Sequence, residues 1–275
     1  MLTHKPMVAI LGAALVCGSL AFMSHEVSAQ GTAASPSASA APPDFSGVYY
    51  PIQEGRGRGS QAGTGPAAAS RGGPPARPTQ SAPLSDGSQG RSPTAPLLTP
   101  EYMARWEIMR KSRIAGSYEF DNNAKCLPPG MPAMMNMAYG MEVMQTKDKI
   151  TFFSELNDAL RRVYLDGRKP TQKQLDDPTY AGYSTGHWEG DTLAVETVAL
   201  HPNSFIEGFT PHSDAMTVKE RIRFTGPGLL EDRITVNDPK ALTQPWETVH
   251  TYRKSTPPKD ELREFACAEG LTRGK

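Results

Sequence analysis

The sequence lacks a net charge, a metal-binding spacing and a cysteine cluster. Its 29 basic residues balance 29 acidic ones, so no net field attracts nucleic acid, an anionic membrane or a polyacidic partner. No His-x-His or His-Glu-x-x-His spacing marks a zinc site, and no motif indicates a cofactor. We therefore expect the partner to be a small apolar or amphipathic molecule, with no cofactor, metal or nucleic acid. The oligomeric state is left open.

The N-terminus has the pattern of an export signal. Residues 7–23 form an apolar or small run of 17 residues, which is short for a membrane span, and Val27-Ser28-Ala29 has the small side chains of a cleavage site. The pattern predicts a signal peptide over 1–29, no stable membrane insertion, and a periplasmic or secreted protein. Cys126 and Cys267 then remain in an oxidising compartment, which favours a disulfide between them.

Glycine and proline are concentrated before residue 100. Residues 30–99 hold 11 of the 25 glycines and 11 of the 25 prolines, and such a segment buries too little apolar surface to offset its ordering entropy. We expect disorder over 30–43 and over the Gly/Pro/Ser-rich insertion 51–99. Residues 44–50, with Phe45, Val48, Tyr49 and Tyr50, interrupt this composition and are predicted to be a strand.

The region 100–275 is predicted to be mainly β. One packing helix begins it, since Thr99 is suited to cap a helix and Pro100 to its first position. Short extended runs separated by turn signals predict an antiparallel, ligand-holding β-barrel rather than a parallel sheet. The candidate strands, added to 44–50, are 141–146, 149–155, 160–166, 181–188, 191–198, 215–225, 229–237, 246–254 and 261–267. A methionine-rich stretch, 131–144, is expected to line the core or pocket.

Glu220 and His212 are the leading catalytic candidates. Alternation along 215–224 places Glu220 among inward apolar residues, where a carboxylate has to be protonated, hydrogen-bonded or paired, for instance with Arg162 or Arg233. His212 and Asp214 lie in the loop leading into that strand and are assigned acid/base roles with Glu220. The alternatives are a loop-capping bond between His212 and Asp214, or a zinc ion held by His201, His212 and Glu220.

Four further residues are candidate ligand-binding groups. Arg162 and Tyr164 share one face of a predicted strand with Asp166, so the guanidinium and hydroxyl could orient a carbonyl or anionic group, or the charges could pair in water. His187 precedes the Trp-Glu-Gly-Asp turn, and His201 lies in the loop between the predicted strands 191–198 and 215–225. Trp188 and Trp246 are expected in the core.

Several motifs resemble known families. CLPPGMP at 126–132, RRVYLDGR at 161–168, GHWEGDTLAVETV at 186–198, HSDAMTVKERIRF at 212–224 and NDPKALTQPW at 237–246 are similar to a large family of exported, functionally uncharacterised bacterial proteins. That resemblance implies an exported single domain. Residues FSGVY at 45–49 resemble the start of lipocalin-like barrels, and Arg253 resembles the arginine that packs over their first aromatic ring.

These features predict an exported barrel that binds a small, largely apolar molecule and acts on it by acid/base chemistry as a lyase, isomerase or hydrolase. The alternative is a non-catalytic, lipocalin-like carrier of a small hydrophobic ligand. A loop histidine near a carboxylate favours the enzyme. The absence of any recognised catalytic signature favours the carrier.

Overall fold

The computed structural model describes residues 41–52, 94–256 and 261–267. The predicted signal peptide and most of the two segments expected to be disordered lie outside these residues. Of the helices within the described ranges, none is both long and apolar enough to span a membrane.

The described chain forms a closed barrel of nine strands in sequential order, with β1 pairing with both β2 and β9. The predicted barrel is therefore confirmed, whereas its relationship to lipocalins stays a prediction. The strands are β1 Gly47–Pro51, β2 Met141–Gln145, β3 Lys149–Ser154, β4 Ala159–Tyr164, β5 Tyr183–Glu189, β6 Thr192–Val198, β7 Thr217–Gly226, β8 Leu229–Asn237 and β9 Trp246–Lys254.

Two helices join the barrel strands. The expected helix is α1, Pro100–Ile114, which begins after Thr99 and buries Tyr102 and Met109. A second, short helix, α2 over Gln172–Asp176, was not predicted, and its first residue follows a capping box between Thr171 and Gln174. The strand predicted at 261–267 is wrong, because those residues are irregular before Cys267.

One strand pair departs from the antiparallel pattern. β4 and β5 are parallel, with Val163 opposite Ser184, and the remaining neighbours are antiparallel. A parallel pair needs a connection that returns the chain along the sheet, and residues 165–182, which include α2, provide it. The turn signal at Asp166-Gly167 identified the end of β4 but not this return.

Large side chains occupy the barrel interior. Phe45, Tyr49, Phe152 and Ile150 are fully buried and belong to one apolar cluster with inward residues of the other strands. Where β5 and β7 finish, the Phe45 ring packs against Trp188 and Phe224, with centroid distances of 5.2 and 5.0 Å. The interior is thus built from packed aromatic and aliphatic groups.

The methionine segment, residues 131–135, packs into the same cluster. Met131, Met134 and Met135 are buried there, as the sequence predicted for part of the methionine-rich stretch. Two backbone groups anchor the segment, because the Tyr252 hydroxyl donates to the Met135 carbonyl at 2.5 Å and Met131 N–H donates to Tyr180 O at 2.8 Å.

A disulfide and a contact between a cation and an aromatic ring join residues that are far apart in the sequence. Cys126 and Cys267 form the predicted disulfide, with their Cα atoms 5.6 Å apart. The cation that lies above the Tyr49 ring is Lys254, whose Nζ is 5.9 Å from the ring centroid. The expectation for Arg253 is wrong, since strand alternation turns that side chain outward, where it is exposed.

Candidate functional site

A buried ion pair lies inside the barrel. Glu220 on β7 is 1% exposed and points inward, and Arg161 on β4 is equally buried. Arg161 Nη1 donates to Glu220 Oε1 at 2.8 Å, and Nη2 donates to Oε2. The guanidinium also donates to Ser184 Oγ at 3.2 Å and Thr197 Oγ1 at 3.1 Å. The described hydrogen bonds thus join the guanidinium to the Glu220 carboxylate in a bidentate pair and to two hydroxyl groups.

The partner of Glu220 is Arg161 rather than Arg162 or Arg233, which the sequence predicts. Inward positions of β4 are Ala159, Arg161 and Val163, because Arg161 is paired with inward Phe152 of β3. Arg162 consequently points outward and is exposed, as does Arg233 on β8. Both expected partners of Glu220 are corrected to Arg161.

Asp232 on β8 is the second buried carboxyl of the centre. It is 0% exposed, and no described residue donates a hydrogen bond to either carboxyl oxygen. Burial raises the pKa of Asp232 well above its usual value, the Glu220 charge raises the pKa further, and Arg161 opposes both effects. A protonated Asp232 can donate to Glu220, whereas two carboxylates cannot bond to each other. The geometry therefore favours a neutral Asp232.

Two β9 residues flank these groups. Tyr252 is buried, and its pKa is raised well above the usual value by burial and by the charges of Asp232 and Glu220. Its hydroxyl holds Met135, so one side chain links the charged centre to the methionine segment. His250 is directly opposite Asp232 in the strand register, and burial lowers its pKa.

His212 belongs to a separate hydrogen-bonded cluster. It is 1% exposed, with Nε2 2.8 Å from Ser204 Oγ and Nδ1 2.7 Å from the Ser213 carbonyl oxygen. A carbonyl only accepts, so Nδ1 carries a proton. Ser204 Oγ also lies 2.9 Å from His201 O. Because Ser204 has one hydroxyl proton, it can donate either to His201 O or to an unprotonated Nε2 of His212, but not to both. Burial is the main cause that lowers the pKa of His212.

The carboxylate that organises this loop is Asp238, not Asp214. Asp238 accepts from Ser213 N–H and Ser213 Oγ, both at 2.6 Å. Asp214 is exposed and pairs with Lys240 Nζ at 2.6 Å, away from the His212 ring nitrogens. The predicted capping bond between His212 and Asp214 is therefore wrong, and among the described residues the charged partner of the Asp214 side chain is Lys240.

His212 and Glu220 do not meet. Their hydrogen-bond partners form two sets without a shared member, one in the loop and one inside the barrel. The expected acid/base pair is thus not formed. Within the part of the chain that the structure describes, no three His, Cys, Asp or Glu side chains are placed to hold a metal ion.

The remaining predicted residues lie outside the barrel interior. Tyr164 is half-buried between the Arg168 guanidinium, 4.4 Å from its centroid, and the Tyr183 ring at 5.3 Å. His187 is exposed, with Nε2 3.0 Å from Glu189 Oε1. His201 stacks on Tyr180 with a centroid distance of 4.5 Å. The structure does not gather these residues around one ligand.

The sequence contained a signal for one residue that was missed. Asp232 alternates with Leu230, Ile234 and Val236, the same pattern that placed Glu220 inward. The run Gly182-Tyr183-Ser184-Thr185-Gly186 also fits Gly-x-Ser-x-Gly. Ser184, however, lies within β5 with its Oγ 2.8 Å from Thr197 Oγ1, and it does not occupy a strand-to-helix elbow.

Comparison with models of known protein families, with curated proteins and with solved structures found no match. The resemblance to exported bacterial proteins therefore stays a prediction.

Proposed function

We propose that this protein is an exported barrel that binds a small, uncharged and largely apolar molecule at the Arg161–Glu220–Asp232 centre. Acid/base chemistry on that molecule is assigned to Asp232 as the acid, with Glu220 beside it. The observation that carries the proposal is Asp232, because a fully buried carboxyl without a described hydrogen-bond donor is unusual and calls for a physical reason.

The charges of the centre define the class of ligand. Arg161 and Glu220 cancel each other, and a neutral Asp232 adds no charge. Bringing an ion beside them would leave it without a counterion in an apolar interior, which is costly. A carbonyl or hydroxyl oxygen could instead accept the Asp232 proton, while the body of the ligand would contact apolar neighbours such as Phe152 and Ile222.

Access to the centre is assigned to the methionine segment. Methionine side chains are unbranched and adapt to new neighbours at low cost. The Met135 carbonyl accepts a hydrogen bond from Tyr252, and the charges of Asp232 and Glu220 raise the pKa of Tyr252. Displacement of this segment would therefore open a space next to the buried carboxyl without breaking the strand pairing.

Serine chemistry is a poorer explanation of the same structure. Ser204 has a histidine neighbour, but it is fully buried, and a Cβ on Gly130 would lie 2.3 Å from Ser204 Cβ. That packing leaves no room for a substrate carbonyl at the hydroxyl. Ser184 is bound to Arg161 and Thr197 and is equally enclosed.

A non-catalytic carrier is the second candidate, favoured by the complete pairing of Arg161 with Glu220. In that case the polar groups would hold the ligand without changing it. The two functions agree on the binding site and differ in whether a bound compound is converted.

The first test is binding of the neutral fluorophore N-phenylnaphthylamine. We expect the wild type to bind it, D232L to change its affinity or emission, and Y252F to bind it faster, because loss of the bond to Met135 frees the methionine segment. The exposed variant D214N is the matched control. Identical behaviour of wild type, D232L and Y252F would overturn the proposed site.

A second measurement separates enzyme from carrier. Native mass spectrometry of the exported protein identifies a co-purified compound, and that compound is then incubated with wild type and D232N. Conversion by the wild type but not by D232N supports acid catalysis. Binding without conversion supports the carrier.

A further inference from the structure

A groove of about 470 Å³ lies outside the barrel, between α2 and the neighbouring ends of β5 and β6. This volume is within the range of small-molecule sites. The residues that matter for its chemistry are Lys173, Gln174, Asp177, Thr179, Tyr183 and Ala199. None of them belongs to the buried charged centre.

The groove is built on constrained backbone. Ala199 adopts a left-handed conformation with φ 55°, which is unfavourable for a residue with a Cβ. Thr179 holds it there, since Thr179 N–H donates to Ala199 O at 3.1 Å and Thr179 O accepts from His201 N–H at 2.9 Å. Gly182 completes the floor with φ 66°, and a Cβ there would lie 2.7 Å from Thr197 Cγ2. Strain of this kind persists where surrounding contacts enforce it, and it concentrates at binding sites.

Lys173 and Asp177 carry opposite charges and line the groove. Lys173 and Asp177 are four residues apart, a spacing that places them on the same side of α2 and its C-terminal end. Both are exposed, and neither forms an ion pair with any residue of the described ranges. With respect to the described residues, the Lys173 ammonium and the Asp177 carboxylate are thus both available to a ligand.

Tyr183 supplies an aromatic wall beside these charges. Its ring packs on Tyr164, and Arg168 covers the other side of that stack. Arg168 is itself neutralised by Asp166, with Nε 2.8 Å from each carboxylate oxygen. The wall therefore adds apolar surface and no net charge to the groove.

We propose that this groove binds a small zwitterion of the amino-acid type. The ligand carboxylate pairs with Lys173, its ammonium pairs with Asp177, and its side chain packs on Tyr183. A ligand with one charge satisfies one of the two groups and leaves the other repelled or unpaired. This site is independent of the proposed function of the barrel interior.

The test is isothermal titration of the full chain with phenylalanine, phenethylamine and hydrocinnamate. These probes share a phenyl ring and carry both charges, only the ammonium and only the carboxylate, respectively. We expect phenylalanine to bind about fivefold more tightly than either relative, as loss of an exposed ion pair of about 1 kcal/mol predicts. Equal affinities for phenylalanine and either relative would overturn the zwitterion assignment.

Variants then locate the binding. K173Q and D177N should each weaken phenylalanine binding about fivefold, again from loss of one exposed ion pair. The exposed double variant K147Q/D148N removes the same charges from the β2–β3 turn and should leave affinity unchanged. Undiminished phenylalanine binding by K173Q and D177N, or an equal loss in the control, would place the ligand elsewhere and overturn the proposal.

Discussion

Replacing Asp232 with asparagine should stabilise the folded protein at neutral pH. The wild-type carboxyl is fully buried beside the Glu220 carboxylate, and these two effects raise its pKa well above the ordinary value. Asparagine has nearly the same shape, carries no ionisable proton, and can donate its amide N–H toward Glu220. The substitution therefore removes the titration and keeps the packing.

The direction of the pH dependence follows from which state holds the proton more tightly. Folded Asp232 retains its proton to a higher pH than the unfolded chain, in which the pKa is about 3.9. The contribution of Asp232 to the free energy of unfolding is fully present below the unfolded pKa of about 3.9 and is lost as pH rises toward the raised pKa of the folded state. Within this window the wild type loses about 1.4 kcal/mol of unfolding free energy per pH unit relative to D232N.

Urea denaturation of wild type and D232N, at unit steps from about pH 4 to about pH 8, measures this difference. We expect similar stabilities at the acid end and a widening advantage of D232N above it. D214N is the control, because Asp214 is exposed and paired with Lys240, which lowers its pKa. Parallel profiles for wild type and D232N would refute the argument that burial keeps Asp232 protonated.

Three other perturbations probe the interior, the loop cluster and the disulfide. R161M should lower the unfolding free energy by about 3–5 kcal/mol, because it leaves Glu220 buried and unpaired. The double variant R161M/E220M should recover most of that loss. An equal loss in both variants, measured by urea denaturation, would contradict the pairing argument. Because burial lowers the pKa of His212, wild-type stability should fall as pH drops below about 6.5 in urea titrations, and H212Q should flatten that fall; an unchanged profile counts against it. C126A/C267A should lose about 5 kcal/mol in the same assay, since the disulfide closes a loop with a separation of 141 residues, and unchanged stability would show that the bond is not formed.

The β-rich architecture could be predicted because its signals are local. Alternation and turn residues predicted all nine strands, eight of them between residues 141 and 254 and one near Tyr49. A strand that pairs in parallel carries no different local pattern, so the β4–β5 arrangement was not predicted. The prediction of a strand at 261–267 was wrong because a strand-like composition does not show whether a partner strand is present, and these residues have none among the described residues.

The candidate site was only half predictable. Glu220 lies on a strand with one clearly apolar face, so its inward direction followed from period-two alternation. In β4 both faces carry apolar residues and one arginine each, Arg161 with Val163 and Arg162 with Leu160. No local pattern distinguishes them. The register against β3, which sets Arg161 opposite Phe152, makes the choice.

The sequence by itself determined a β-rich chain, an inward Glu220 and two cysteines suited to a disulfide, because each depends on residue type and short-range spacing. Only the tertiary structure shows which residues become hydrogen-bond and ion-pair partners. Barrel closure brings Arg161 to Glu220, 59 residues away, and Asp238 to Ser213, 25 residues away. The same closure encloses Asp232 where no described group donates to it. Hydrogen-bond partners and pKa values depend on which strands become neighbours, and strand neighbours are set by long-range register rather than by local pattern.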